Sequence, residues 1–154
     1  PFICVLDGVE DEHNMGAVIR SANVMGVHGV IIPKRNSATL SPLVAKVASG
    51  ALEYIKVCRV TNIASTLDIL KEKNIWVFGA CGEAEKKCYD EDFDCPCAIV
   101  IGNEAKGISR LVREKCDFLV SIPMDEGSVG SLNASCAAAV MFYEVKRQRE
   151  KKGE

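Results

Sequence analysis

Six short runs dense in Val, Ile and Phe punctuate this chain, and helix-period segments lie between them. That alternation constrains the fold more than any other feature. Short strands joined by helices run parallel, and helices then cover both faces of the sheet. The strand candidates are Phe2 to Leu6, Gly29 to Ile32, Tyr54 to Cys58, Ile75 to Ala80, Ala98 to Ile101 and Phe118 to Ile122. Their Val and Ile content suits strands buried on both sides. The predicted fold class is α/β, an open parallel sheet with helices on both faces.

The helices are marked by stripes and caps. Met15, Val18, Ile19, Ala22 and Met25 form one apolar stripe, with Asn14 ahead of it as the expected N-cap. Gly16, Arg20 and Asn23 are placed on the opposite, polar face. Ser41-Pro42 reads as a cap followed by a first-turn proline, leading through Val44, Val47 and Ala48. Asn62 can cap a helix over Ile63 to Lys73. Ile108, Leu111 and Val112 mark a short helix, and a last helix runs from about Asn133 to Arg149. The acidic stretch Tyr89 to Cys95 reads as a surface loop.

With 154 residues the chain makes one domain, large enough to bury a core. It opens inside an apolar run and reads as a piece of something longer. No apolar run approaches the roughly 18 to 20 residues that cross a bilayer, so no membrane partner is expected. The formal net charge of −2 gives no global attraction to nucleic acid. RNA contact would fall to local groups: Lys34 and Arg35; Lys106, Arg110 and Arg113; Lys146, Arg147 and Arg149. Each of these alone is equally a solvated helix or loop end. Of the eight cysteines, Cys4, Cys58, Cys81 and Cys136 read as small core residues. Cys95-Pro96-Cys97 lacks the spacing of a zinc site, so no metal is expected. Free thiols in a reducing cytoplasm account for the set.

In an open parallel sheet, ligands bind beyond the carboxyl ends of the strands. Three polar, glycine-bearing segments fall there. The first, Asp7 to Gly16, leads to Arg20, whose guanidinium beside a helix start is a plausible anion site. An exposed arginine on a capped helix explains it as well. The second, Gly102-Asn103-Glu104-Ala105-Lys106-Gly107, has the glycine spacing of a P-loop. Ile108-Ser109 follows instead of Lys-Ser, which excludes triphosphate hydrolysis. A strand-to-helix turn that needs glycines is its plainer reading. The third runs from Ile122-Pro123-Met124 through Gly127 and Gly130 to Ser131-Leu132-Asn133-Ala134-Ser135. One of those polar residues can cap a helix, and three together suggest a lined site. Ala134, Ala137, Ala138 and Ala139 read as a tight packing face. The chain has no G-x-G-x-x-G, which disfavours a dinucleotide dehydrogenase, and no G-x-S-x-G, which disfavours an α/β-hydrolase.

In this order the three segments resemble the SpoU branch of the SPOUT RNA methyltransferases, also called the TrmH family. Asn14, Gly16 and Arg20 match its first element, and Gly102, Glu104 and Gly107 its second. Ile122-Pro123-Met124 with Ser131-Leu132-Asn133-Ala134-Ser135 matches its third. The likeness is finest to the large-subunit rRNA guanosine-2′-O-methyltransferases, through Leu6-Asp7-Gly8-Val9, Gly26-Val27-His28, Val47 to Ala51 and Arg59 to Asn62. Asp125-Glu126 adds one residue between Met124 and Gly127. The family's small N-terminal RNA-binding domain has no counterpart here, so residues 1–154 are read as the catalytic domain.

The resemblance implies a deep C-terminal trefoil knot, a homodimer with shared active sites, and S-adenosyl-L-methionine as methyl donor to a ribose 2′-hydroxyl of RNA. Carried over by position, Gly102, Ile122, Met124 and Leu132 would contact the cofactor, with Gly82 as an addition. Asn14, Arg20, Glu104, Ser131 and Asn133 would form the catalytic group, Glu104 orienting Arg20. A tRNA methyltransferase, a homologue that binds RNA without catalysis, and an unrelated nucleotide-binding module are the competing readings.

Overall fold

The computed structural model describes residues 1–152. A six-stranded parallel sheet runs through it in the order β3-β2-β1-β5-β4-β6. The strands are β1 (Phe2–Asp7), β2 (Gly29–Pro33), β3 (Lys56–Val60), β4 (Trp76–Ala80), β5 (Cys97–Gly102) and β6 (Phe118–Val120). The helices are α1 (Glu12–Val24), α2 (Pro42–Val47), α3 (Ile63–Glu72), α4 (Arg110–Lys115) and α5 (Ala134–Lys152).

The period of two along each central strand sorts its side chains into two cores. Phe2, Cys4 and Leu6 of β1, and Cys97, Ile99 and Ile101 of β5, meet α1 and α5 on one face. Val5, Ala98 and Val100 meet α3 and α4 on the other. The expected stripe of α1 is confirmed, with Met15, Val18, Ile19 and Ala22 fully buried. Ser41 and Asn62 cap α2 and α3 as expected, accepting from the N–H groups of Val44 and Ser65.

Several expectations shift. Strand β3 begins two residues later than the reading from Tyr54, because Ala51–Glu53 tightens into a 3-10 turn first. The N-cap of α1 is Asp11, not Asn14; the Asp11 carboxylate accepts the Asn14 N–H at 3.0 Å. Cys58 and Cys136 are exposed and only Cys4 of the four supposed core cysteines is buried. The acidic stretch is not a free loop. Phe93 within it is fully buried, and Gln148 and Arg149 of α5 grip its backbone at Glu91, Phe93 and Cys95. That grip commits Arg149, and Arg110, Arg113, Lys146 and Arg147 pair with carboxylates. Lys34, Arg35 and Lys106 have no such partner among the described residues.

Candidate active site

All six strands point the same way, so their carboxyl ends share one rim. The chain runs outward from β1 to β3 and then restarts on the other side of β1, leaving β1 and β5 as neighbours at a change of direction. Such switch points open a crevice between the loops that leave the two strands. Asp7 and Gly102 lie side by side there.

Cross-links between these two loops set the geometry. The Asn103 amide donates to the Gly8 carbonyl at 2.8 Å, and the Asp7 carboxylate accepts the Ser109 N–H at 2.7 Å. Asn103 and Gly107 exchange two backbone hydrogen bonds of 2.9 Å, closing the loop on itself. The Asn103 side-chain oxygen takes the N–H groups of Ala105 and Lys106. Sequence reasoning missed Asp7 and Asn103. Nothing in their spacing signals a role, because it comes from strand register across about a hundred residues.

Glu104 is held in the same way. Its carboxylate accepts the N–H of Asp11 at 2.7 Å and that of Glu10 at 3.1 Å. Partial burial pushes its pKa up, but the backbone hydrogen bonds and the Asn14 side chain outweigh this and hold the carboxyl below its ordinary value. Glu104 thus staples the start of α1 to the loop after β5. A group with a depressed folded pKa stabilises above its unfolded pKa, and that contribution is lost as pH falls through the folded value. Glu104→Gln is therefore expected to lower Tm at neutral pH. The gap from wild type should close on acidification below the carboxylate range, about pH 4. Thermal unfolding of both proteins across pH checks this, and a gap that persists in acid would exclude the staple.

Behind Glu104 lies a cleft of about 340 Å³, and a second lobe of about 130 Å³ shares much of its wall. Gly102 and Glu104 line the first lobe, Ile122 and Met124 the second, and Gly82, Ser131 and Leu132 both. All five expected cofactor contacts and two of the five expected catalytic residues therefore meet in one place. Ala134 and Ala137, taken from sequence as packing residues, line the cleft, while Ala138 is fully buried as that reading required. Glu83 is an addition the sequence did not suggest: it lines the cleft, pairs with Arg113 at 3.5 Å and accepts from the Cys81 thiol.

The remaining expected residues lie elsewhere. Asn133 stands at the start of α5, accepting from the N–H and the hydroxyl of Ser135. Asn14 reaches Glu104 rather than the cleft. Gly16 is buried, not on a polar face: a Cβ there would come 2.6 Å from the Val47 Cβ, so the glycine lets α2 cross α1. Arg20 is exposed, and its guanidinium contacts neither Glu104 nor any other partner among the described residues. The expected orientation of Arg20 by Glu104 is absent within one chain, because Glu104 is committed to backbone donors.

A cleft that combines apolar walls, glycine backbone, one hydroxyl, two carboxylates and the Lys106 ammonium suits a small amphipathic ligand. No group of three or more His, Cys, Asp or Glu among the described residues is arranged to hold a metal ion. No helix there is long and apolar enough to cross a membrane.

The sequence profile of the SpoU rRNA Methylase family matches residues 1–143. The chain is similar to a putative TrmH family tRNA/rRNA methyltransferase, YacO, of Bacillus subtilis, with 50% identity over 100% of this chain and 61% of the relative. It is 51% identical to the 23S rRNA (guanosine-2'-O-)-methyltransferase RlmB of Pseudomonas putida, over 99% of this chain and 61% of that protein. The chain thus spans about three fifths of the length of these curated relatives. Among solved structures it resembles the SpoU methyltransferase AviRb from Streptomyces viridochromogenes in complex with the cofactor AdoMet. The TM-score is 0.90 at 33% identity, covering 97% of this chain and 60% of that one. The A. aeolicus TrmH/SpoU tRNA modifying enzyme matches with a TM-score of 0.88 at 28% identity, covering 99% and 77%.

Proposed function

This chain belongs to the SpoU rRNA methylase family, and from that premise we propose that it transfers a methyl group from S-adenosylmethionine to a ribose 2′-hydroxyl of RNA. The substrate we infer is a guanosine of large-subunit ribosomal RNA, met in the cytoplasm. One observation carries the reading: the loop after β5 and the segment Gly130-Ser131-Leu132, far apart in sequence, wall a single cleft at the carboxyl rim. The name of the Pseudomonas relative supports the substrate.

The cleft suits the cofactor on its own chemistry. The two lobes together fall within the range of small-ligand sites, roughly 300 to 1,000 Å³. Ile122, Leu132 and Ala137 offer apolar walls, and Gly82 and Gly102 expose backbone groups. The carboxylates of Glu83 and Glu104 stand in the lining with the Lys106 ammonium, charges of both signs that suit a zwitterionic ligand. Gly82, Gly102, Ile122, Met124 and Leu132 would hold it there. Bound, S-adenosylmethionine supplies a methyl group activated by sulfonium charge. The chain's own task is to orient the ribose against that group, and proximity of this kind contributes about 7 to 11 kcal/mol. Ser131, in the lining of both lobes, is placed to accept a hydrogen bond from the 2′-hydroxyl.

Arg20 is not the base, since guanidinium stays protonated. Its role is to hold an RNA phosphate and stabilise charge on the 2′-oxygen. Because it stands clear of its own cleft, we assign it to the site of a second copy. Exposed apolar side chains on two neighbouring helices support that dimer: Val24 at the end of α1 is 66% exposed and Tyr143 on α5 is 56% exposed. Met25 and Tyr143 share a groove whose other walls are the charged Lys146, Arg147, Glu150 and Lys151. The deep knot of the family belongs to the same proposal. In its support, the chain leaves β6 at the sheet edge and returns through Gly130 to Leu132 beside the loop after β5 before entering α5.

The test is methyl transfer by the full-length protein from labelled S-adenosylmethionine to unmodified 23S rRNA and tRNA transcripts. We expect 2′-O-methylguanosine in 23S rRNA. Label in tRNA alone would favour the tRNA reading that the names of the Bacillus and A. aeolicus proteins allow. Label in neither would leave a binding protein.

A further inference from the structure

The same rim carries a second concavity that the mechanism does not use. About 350 Å³ in size, it lies over the carboxyl ends of β1, β2 and β3, on the other side of the β1 loop from the cleft. Resting on the RNA reading above, we propose that this concavity is a subsite for an unpaired nucleotide that flanks the methylated one.

Three observations carry it. The first is continuity. Gly8 lines this concavity, Asn103 lines the cleft, and the two are joined by a single 2.8 Å hydrogen bond. One shared wall separates the sites, so a strand entering one passes directly over the other.

The second is charge. The chain's net charge is −2, so a polyanion must be met by local cations. Arg35 lines the concavity and Lys34 precedes it; neither has a carboxylate partner among the described residues. The one carboxylate in the lining, Asp7, is engaged by the Ser109 N–H. Arginine suits phosphate because its fork donates in pairs.

The third is the lining itself. Asn36, Thr61, Asn62 and Ser109 offer amide and hydroxyl groups, the kind that read the edges of a splayed-out base. No aromatic ring is among them, so hydrogen bonding rather than stacking is the mode of capture. Asn62 spends only its oxygen on capping Ser65, leaving its NH₂ uncommitted. The loop that carries Arg35 is fixed in advance. The Lys34 N–H donates to Val60 at 2.9 Å, and the Ala38 N–H donates to Val9 at 2.8 Å. A loop pinned at both ends loses little entropy when it binds.

The experiment uses the full-length protein and an unmodified large-subunit rRNA fragment. Arg35→Ala with Lys34→Ala should raise KM for RNA by about tenfold and shrink the slope of log KM against log salt by about one to two. The kcat and the Kd for S-adenosylmethionine should stay at wild-type values. Lys56→Ala removes an equally exposed charge at the opposite rim and should change none of these. A 4-thiouridine placed beside the target guanosine should crosslink to residues 33–36 or 61–62. Wild-type KM and salt slope in the double variant, or an equal rise with Lys56→Ala, would overturn the subsite while leaving the activity standing. No methyl transfer by the wild type would overturn both.

Discussion

Replacing Arg20 by alanine is expected to lower kcat by about 10²- to 10³-fold, the cost of removing one charge-stabilising donor from a transition state. The Kd for S-adenosylmethionine and Tm should hold at wild-type values, because the side chain is exposed and makes no hydrogen bond or ion pair among the described residues. Arg20→Lys should also lose most of the rate. A lysine keeps the charge but not the planar, bidentate fork. Near-normal turnover by the lysine variant would remove the orienting role and leave only a charge. Mixing separates a shared site from a self-contained one. Leu132→Glu puts a carboxylate into the cleft and should be inactive alone. Combined with Arg20→Ala, it should restore about a quarter of wild-type activity, because half of the random dimers are hybrids and each hybrid holds one intact site. No restoration in verified hybrids would show that Arg20 serves its own chain's cleft.

The second large effect is at Gly102. A Cβ there would lie 2.2 Å from the Gly107 carbonyl carbon and 2.3 Å from the Ile108 nitrogen. Both are backbone atoms in a loop closed by two hydrogen bonds, so neither can swing away. Gly102→Ala must open that loop. We expect a loss of about 1 to 3 kcal/mol of stability, the usual cost of overpacking. Cofactor binding should be lost with it, since the displaced loop is a wall of the cleft. Urea unfolding and calorimetric titration with S-adenosylmethionine read the two losses separately. A variant that binds the cofactor as wild type would show that the loop relaxes without harm.

How much of this was legible in the sequence depends on how local each cause is. The caps Ser41 and Asn62 act within three residues and are legible in the sequence, as is the buried stripe of α1. Strand β3 slipped because it is an edge strand with little burial, and so has no apolar alternation to fix its start. Asp11 displaced Asn14 as cap because Asp and Asn three residues apart are equal candidates until the loop path is known. Gly16 looked like part of a polar face because its neighbour Val47 lies on another helix. The strand-end rule locates the segments that wall the cleft, but the individual contacts come only from the family resemblance; the chemistry of Gly82 or Leu132 names no role by itself. The stitches from Asp7, Asn103 and Glu104 lie outside any pattern in the chain, since each joins segments brought together by the sheet.

The Glu104 staple has a mechanical corollary. One carboxylate borders the cleft and also anchors the first turn of α1, two turns before Arg20. Whatever shifts the loop when its ligand arrives pulls on the lever that bears the guanidinium. If two copies trade that arginine, each copy's occupancy is transmitted to its neighbour's reaction centre, and the pair works as a linked couple rather than two independent machines.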